Sequence, residues 1–349
     1  MSKDIFRDGR YVNILCGADI KPVAINWLWE GWLPAGKLTI LAGEAGTGKT
    51  TLALSLAATI TTAGIWPNGS MCTNKGHVLI WSSEDVANDT LVPRLIAAGA
   101  DLSRCHFIAG IIQNGESVPF DPSQDILDLH RAADKIGGVS LLIIDPIVSA
   151  VSGDMHRAND VRRSLQAVVD FAEARQCAVI GITHFAKGGA GKNPQDRVIG
   201  SQAFGALARM VLVAAKEEGG DRRVLARAKS NIAPDDGGVT YHQELITINE
   251  GIETILAVWD GEIAGTAREI IGDMEEDICD DGSSRKEAER FLKDLLKDAP
   301  LPVNRIKVDA DGAGYSWSTI RRAQSAIGIE ASKEKGSMTG VWKWHLPNQ

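Results

Sequence analysis

Residues 37–51 read KLTILAGEAGTGKTT, an apolar run that passes into a glycine-rich loop and then into helix-forming residues. The segment Gly43–Thr50 fits the pattern G-x-x-x-x-G-K-[ST], which binds phosphate where a buried strand leads into a helix. Backbone N–H groups of such a loop surround the phosphates, the lysine neutralises them, and the last hydroxyl ligates Mg²⁺. A glycine turn without a nucleotide is disfavoured because both flanks are correct. We expect ATP to be bound by Gly43, Glu44, Ala45, Gly46, Thr47, Gly48, Lys49, Thr50 and Thr51, with Mg²⁺ on Thr50.

Strands alternate with helices along residues 36–260. The expected strands are 37–42, 77–82, 105–108, 140–144 and 177–182, and the expected helices are 50–63, 85–99, 123–136 and 158–175. This alternation, with the phosphate-binding loop after its first strand, predicts an α/β P-loop core with a mainly parallel sheet covered on both faces and ligands at the carboxyl ends of the strands. Later strand-like runs at 210–215, 224–228, 239–248 and 254–258 predict antiparallel additions to the sheet edge.

Three of the expected strands end in polar side chains that suit catalysis. Asp145 follows the apolar run 141–144 and is the predicted Mg²⁺ ligand. Glu84 follows the strand 77–82, which we expect to lie beside the P-loop strand, and is the predicted general base, with Asp85 as the alternative unless it caps the next helix. His184 ends the strand that precedes it and is a candidate sensor of the γ-phosphate, although a histidine at a strand end is more often a bystander.

Four segments differ in composition and in predicted secondary structure. Residues 1–35 form a lead-in with a tryptophan cluster, 36–260 form the core, and 261–283 are acidic and glycine-containing, which predicts a helix and then a linker. In 284–349, Ser284 and Glu287 form a capping box, a second helix begins near 316–318, and an aromatic hairpin-like run follows. This order predicts a small C-terminal domain of the winged helix-turn-helix kind.

The net charge of −8 is unevenly distributed. Residues 284–349 hold 12 Lys+Arg and 8 Asp+Glu, a net charge of +4, which leaves 25 Lys+Arg and 37 Asp+Glu, a net charge of −12, for residues 1–283. An acidic body is untypical of a passive nucleic-acid coat, so any DNA contact should be local; the alternative is that both balances are solvated surface.

The sequence supports neither a targeting segment nor a structural role for its cysteines. The first ten residues are charged where a secretory signal needs an apolar stretch, and the apolar runs are short for a membrane span, so we expect a cytoplasmic protein without membrane contact. The five cysteines are widely spaced, which supports neither a disulfide framework nor a zinc site.

Several motifs in consistent order resemble a known family. They are WEGWLPAGKLTILAGEAGTGKT at 29–50, WSSED at 81–85, IIDP at 143–146, THFAKG at 183–188 and GSQAF at 200–204. They resemble the RepA-type replicative helicases of plasmids and phages, within the RecA/DnaB-like group of P-loop ATPases (AAA family ATPases), over roughly residues 25–260. The resemblance implies a homohexameric ring with ATP between subunits and single-stranded DNA in a central hole, and a replication initiator or primase as candidate partner.

A nucleotide site between subunits needs a cation supplied by the neighbouring subunit. Arg209 resembles the arginine that these helicases carry after the Gly-Ser element, and Arg227 and Lys229 resemble the Lys/Arg pair of DnaB-like motors. We favour Arg209 and Lys229 over Arg227; each could equally be a surface cation. The catalytic set predicted from sequence is therefore Lys49, Glu84, His184, Arg209 and Lys229.

Two regions are candidates for DNA contact. The loop 186–199 carries Lys187, Lys192 and Arg197 next to Phe185, and the second helix of the C-terminal domain carries Trp317, Arg321 and Arg322. Trp342 and Trp344 are two residues apart and share one face of a strand, which favours a core or interface role over base stacking.

Three functions fit these features. The first is an ATP-dependent DNA helicase or translocase of plasmid or phage DNA replication. The second is a RecA-like ATPase that remodels or loads partner proteins, or acts in recombination, without unwinding. The third is a DNA-binding regulator that ATP switches.

Overall fold

The structure is a computed structural model, and it describes residues 14–153, 157–185, 197, 202–217, 220–275, 282–315, 317–332 and 341–347. Its strands are β1 Trp27–Trp29, β2 Leu33–Pro34, β3 Leu38–Gly43, β4 Val78–Ser82, β5 Cys105–Phe107, β6 Ile111–Gln113, β7 Glu116–Val118, β8 Leu141–Asp145, β9 Ala178–His184, β10 Met210–Lys216, β11 Arg223–Ser230, β12 Asp236–Ile248, β13 Ile252–Thr266, β14 Leu301–Pro302, β15 Glu330–Ser332 and β16 Lys343–His345. Its helices are α1 Lys49–Thr62, α2 Val92–Ala97, α3 Pro122–Lys135, α4 Ala158–Arg175, α5 Gln202–Leu207, α6 Ala267–Glu275, α7 Gly282–Leu296, α8 Val303–Gly312 and α9 Trp317–Ala326.

A nine-stranded sheet organises the core. Its strand order is β13-β12-β11-β10-β3-β9-β8-β4-β5. The six strands from β10 to β5 are parallel, and β11, β12 and β13 are antiparallel additions. The mainly parallel sheet is confirmed. The prediction for residues 210–215 is wrong in one respect: β10 is parallel to β3, because the chain crosses over through α5 before it enters the sheet.

Both faces of the central strands are buried. Leu38, Ile40 and Ala42 of β3 pack in one apolar cluster with α4 and α6, whereas Leu41 packs in a second cluster with α1. Strands covered on both faces have no polar alternation, which explains the continuous apolar runs in the sequence. The β1–β2 hairpin of the lead-in belongs to the second cluster, where Trp29 stacks on Trp32 with centroids 4.5 Å apart.

The connection after β4 differs from the single helix predicted at 85–99. A π-helical turn, Ala87–Leu91, leads into α2, which is only six residues long. Pro93 lies in the first turn of α2, where a residue without an N–H group is tolerated; inside a longer helix it would remove a hydrogen bond.

The β6–β7 hairpin was not predicted. Its turn residues Asn114 and Gly115 both have positive φ, 53° and 85°, and an Asn-Gly pair between short strands is the usual signal for such a turn. The signal was in the sequence, but the flanking strands have only three residues each.

The core extends beyond the predicted boundary at residue 260. β13 continues to Thr266, and α6 packs on the sheet through the buried side chains of Ile270 and Ile271. The helix predicted within 261–283 is α6, and the glycines before it belong to the edge strand β13, which the sequence analysis did not extend so far.

The C-terminal region contains one more helix than predicted. α7, α8 and α9 enclose Leu292, Ile306 and Ile320, and a small sheet of order β14-β16-β15 closes this cluster with Trp344. α7 begins at Gly282, two residues before the expected N-cap Ser284. Residues 336–340 of the hairpin-like run predicted at 336–347 lie outside the described residues.

Two observations complete the description. Cys16, Cys72, Cys105 and Cys177 are free thiols, and Cys279 lies outside the described residues. Throughout the part of the chain that the structure describes, the helices lack the combination of length and apolar character needed to cross a membrane.

Candidate active site

The loop between β3 and α1 is held open by backbone geometry and two hydrogen bonds. Gly46 and Gly48 adopt φ of 79° and 85°, in the left-handed region that favours glycine. Thr47 Oγ1 donates to the carbonyl of Glu44 at 2.9 Å, and the buried Tyr241 hydroxyl donates to the carbonyl of Thr47 at 2.6 Å. The loop therefore keeps its shape before a phosphate binds.

Lys49 lies at the centre of this loop. Its Nζ donates to the carbonyls of Gly43 and Glu44 at 3.1 Å and 2.8 Å. Burial lowers the pKa of Lys49, while the negative charges of Asp145, Glu84 and Glu44 oppose that shift. A phosphate that enters the loop replaces weak carbonyl acceptors with an anion, so binding is favoured by charge.

His184 contacts Lys49 directly. Register places His184 of β9 beside Gly43 of β3, and His184 Nδ1 lies 3.4 Å from Lys49 Nζ. Burial and the positive charge of Lys49 lower the pKa of His184, so its ring is neutral near pH 7 and Nδ1 accepts from the ammonium. If a phosphate accepts the hydrogen bonds of Lys49, the contact between Lys49 and His184 is expected to change, so His184 is placed to sense the phosphate.

Asp145 and Thr50 form the predicted metal position. Thr50 Oγ1 donates to Asp145 Oδ2 at 2.6 Å, and Asp145 is 3% exposed. Burial raises the pKa of Asp145 to about 6; the Thr50 hydrogen bond opposes the shift, and the charges of Glu84 and Asp85 add to it. A cation placed here would relieve this repulsion, and one hydroxyl with one carboxylate is a donor set that suits Mg²⁺, which keeps waters and phosphate oxygens as its other ligands.

Glu84 and Asp85 have different surroundings. Glu84 is exposed and lines the same pocket as Lys49, Asp145 and His184. Asp85 forms an ion pair with Arg94 at 2.9 Å, and Val86 is the N-cap of the turn that follows. An unpaired orientation toward the pocket suits Glu84 better for polarising a water.

The strand neighbours of the P-loop were predicted incorrectly. β4 was expected beside the P-loop strand, but β9 and β8 lie between β4 and β3. Glu84 still reaches the site because all of these strands are parallel and end at the same edge.

A pocket of about 300 Å³ contains the site. Its lining includes the predicted residues Ala45, Gly46, Gly48, Lys49, Thr50, Thr51, Glu84, Asp145 and His184. It also includes Arg94, Gln243 and Ile255, which the sequence did not single out. No motif marks these three, because the folding of α2 and of the β12–β13 hairpin over the loop brings them there.

Arg209 and Lys229 lie at the other edge of the sheet. Arg209 is exposed, and its N–H donates to the carbonyl of Leu38, where β3 begins. The P-loop follows the other end of β3, where Gly43 pairs with Ala214 of β10. Ala214 is five residues after Arg209, so the two ends of the strand are roughly 17 Å apart at the usual rise of a strand. The Lys229 ammonium donates to the carbonyl of Gly205 at 2.6 Å. Neither side chain is among those that line the pocket of its own chain, within the described residues.

Arg227 has a structural environment. It is buried over the ring of Trp32 at 4.7 Å, and it donates to the carbonyls of Gly31 and Asp236. These contacts join the lead-in to β11 and β12.

The residues considered for DNA contact are dispersed. Lys187 and Lys192 lie outside the described residues. Arg197 is buried over the Phe185 ring at 4.3 Å and pairs with Glu44 of the P-loop at 3.1 Å.

In the C-terminal domain, Arg321 is buried over the Trp344 ring, Trp317 stacks on that ring at 5.3 Å, and Arg322 is partly exposed. Trp342 and Trp344 are both buried, so the structure places them in the interior rather than on a stacking surface.

Asp145→Asn should stabilise the protein without nucleotide. The folded-state pKa of about 6 lies above the usual value of a carboxyl in an unfolded chain, so ionisation of Asp145 opposes folding. This penalty is absent at low pH, grows as pH rises through that interval, and is complete above it.

Urea denaturation near pH 7.5 should therefore give Asp145→Asn a free energy of unfolding higher by on the order of 1–3 kcal/mol, with a smaller gain near pH 5. Thr50→Val, which removes the donor of the same hydrogen bond, is the matched control and should destabilise instead. A loss of stability in Asp145→Asn at both pH values would contradict the assignment.

Glu84→Gln should separate the two carboxylates after β4. Removing a general base lowers turnover by roughly 10²–10⁴-fold, whereas nucleotide binding should stay close to the wild-type value because Glu84 is exposed at the pocket rim. Steady-state phosphate release and nucleotide titration measure the two effects. Asp85→Asn, the matched neighbour, should reduce turnover less; the reverse order would make Asp85 the base.

The comparisons with known proteins agree with this geometry. Residues 17–190 match the family described as AAA domain, a segment that runs from before β1 through the P-loop, Glu84 and Asp145 to His184. No curated protein matches the chain significantly. The matched family has P-loop ATPase chemistry, and the pocket presents the residues for it. Residues 17–190 of this chain are therefore similar to an AAA-type P-loop ATPase domain, which suggests ATPase activity.

Proposed function

We propose that this chain is an ATP-dependent DNA helicase or translocase that hydrolyses Mg-ATP at the subunit interfaces of a ring, in cytoplasmic plasmid or phage replication. The observation that carries the proposal is the placement of charge on the sheet. The nucleotide pocket is at the carboxyl edge of the parallel strands, and the exposed Arg209 is at the amino edge.

Opposite edges can meet only between copies of the chain. A head-to-tail contact would bring Arg209 of one subunit, and Lys229 near it, toward the pocket of the next. Such heterologous contacts close into rings when the rotation between subunits allows it. This geometry supports an assembly in which each site takes a cation from its neighbour, and a hexamer is the size that the resemblance implies.

The residues of one subunit supply the other parts of the reaction. Lys49 and the loop N–H groups bind and orient the phosphates, and Glu84 accepts the proton of the attacking water. Thr50 and Asp145 would hold Mg²⁺, which would supply positive charge to the phosphate oxygens. His184 loses or regains its contact with Lys49 as the γ-phosphate arrives or leaves, and the chain continues from it into the loop 186–199.

That loop and the C-terminal domain are the proposed DNA-binding elements. Arg197 pairs with Glu44, so the end of the loop is linked to the phosphate site. In the C-terminal domain, three helices with a small antiparallel sheet support a winged-helix assignment, and its net charge of +4 suits nucleic acid or an acidic partner surface. A replication initiator or primase is the candidate protein partner.

Single-stranded DNA should stimulate hydrolysis. A motor gains turnover when its track is bound, so the steady-state ATPase rate should rise on addition of single-stranded DNA, and a forked duplex should be separated. Lys49→Ala, which lacks the phosphate-binding ammonium, is the blank for both assays. Hydrolysis that is indifferent to DNA, without strand separation, would favour remodelling of partner proteins over the motor.

Arg209→Ala should retain nucleotide binding and lose hydrolysis by roughly 10³-fold or more, the usual effect of removing an arginine finger. Mixing it with Lys49→Ala tests whether the cation acts between subunits. Each variant alone should be inactive, but mixed assemblies contain intact P-loops beside intact Arg209 side chains and should regain activity. Normal hydrolysis by Arg209→Ala, or no recovery on mixing, would remove Arg209 from the reaction.

A further inference from the structure

The β12–β13 hairpin extends past the rest of the sheet and lies over the phosphate-binding loop. β12 pairs with β11 only from Arg223↔Tyr241 to Ala226↔Gly238, so residues 242–254 pair only within the hairpin. Two side chains at its base attach it to the loop and to α1. Tyr241 donates to the carbonyl of Thr47, and the indole N–H of Trp259 donates to Ser55 Oγ at 3.1 Å.

Two side chains of the hairpin line the nucleotide pocket. Gln243 and Ile255 border it together with Gly48 and Thr51 at the start of α1. Gln243 lies directly on the loop, because a Cβ added to Gly48 would be 2.2 Å from its side-chain nitrogen. Gln243 and Ile255 lie on one face of the hairpin, since their cross-strand partners are Ala257 and Leu245.

The phosphate end of the pocket is already accounted for. Thr50 donates to Asp145, Lys49 contacts His184 at the end of β9, and Glu84 lines the same pocket just after β4. A nucleoside triphosphate carries, beyond its phosphates, a ribose and a flat base with hydrogen-bonding edges. Such a group is bound by an apolar surface with one or a few polar side chains.

We propose that the β12–β13 hairpin forms the nucleoside subsite, in which Ile255 packs on the base or ribose and the Gln243 amide hydrogen-bonds to its polar edge. The Gln243 amide has both donors and an acceptor, so it can match a base edge or a ribose hydroxyl. Arg94 of α2 also lines the pocket, but it is paired with Asp85, which lines the pocket too, so the Gln243 amide is the polar group that the hairpin offers to a nucleoside.

The competing explanation is mechanical. The hairpin touches the loop through Tyr241 and Gln243, so it could serve only to support the loop's shape. Support of that kind affects phosphates and nucleosides alike, whereas a nucleoside subsite affects only the ligand that contains a nucleoside. Inorganic tripolyphosphate, which has the phosphates alone, distinguishes the two.

Binding of a non-hydrolysable ATP analogue should be measured by calorimetry in the presence of Mg²⁺, and tripolyphosphate by its competition with that analogue. Gln243→Ala and Ile255→Ala should each weaken the ATP analogue by about tenfold, the usual effect of deleting one contact in a ligand pocket, and leave tripolyphosphate within twofold of wild type. Tyr241→Phe, which removes a loop support, should weaken both ligands to a similar degree.

Ile252→Ala is the matched control, because it makes the same chemical change on the same hairpin at an exposed position on the opposite face. It should bind both ligands as wild type does. Equal losses for the two ligands in Gln243→Ala and Ile255→Ala would overturn the proposal in favour of loop support, and unchanged binding of both would overturn it outright. The proposal rests on the nucleotide site and not on the DNA motor, so DNA-independent hydrolysis would leave it standing.

Discussion

The partly buried hydrogen bond from Thr50 to Asp145 joins the first turn of α1 to the end of β8, and the arrangement of the site depends on it. The other side chains of β8 are apolar and buried, and the apolar side chains of α1 are buried against the sheet. The bond keeps an ionisable carboxylate in a place where burial raises its pKa to about 6. The cost of burying this negative charge favours a metal position, because a bound cation would offset it.

Lys49 provides a second link through the same region. Without nucleotide, its ammonium is satisfied by the loop's own carbonyls and approaches His184. A phosphate would compete for the same donor hydrogens, so occupancy of the loop and the hydrogen bonding of His184 are coupled through one group. The chain then runs from His184 through Phe185 to Arg197, which returns to Glu44 of the loop. Both ends of that segment therefore contact the phosphate site.

The antiparallel strands place side chains at both edges of the parallel sheet. β11 carries Lys229 at the edge opposite the pocket, while β12 and β13 extend over the pocket itself. Both elements lie beyond the segment that matches the AAA domain family. α6 follows β13 and is in contact with α9, so the C-terminal domain is attached to the core through α6. The strands and helices after residue 190 thus add to the segment that matches the AAA domain family.

The sequence by itself determined the glycine-rich loop and the parallel sheet, and it predicted a magnesium position at Thr50 and Asp145, because these depend on local patterns: glycines where φ must be positive, apolar runs in doubly buried strands, and a polar side chain at each strand end. It could not order the strands, so β4 was expected next to β3. It also missed Gln243, Ile255 and Arg94, which have no local signature, and α8, whose apolar positions are few. Only the tertiary structure decided that Arg197, Arg227 and Arg321 pack against aromatic rings and that Arg209 lies at the sheet edge opposite its own pocket, since the surroundings of a cation depend on residues distant in the chain.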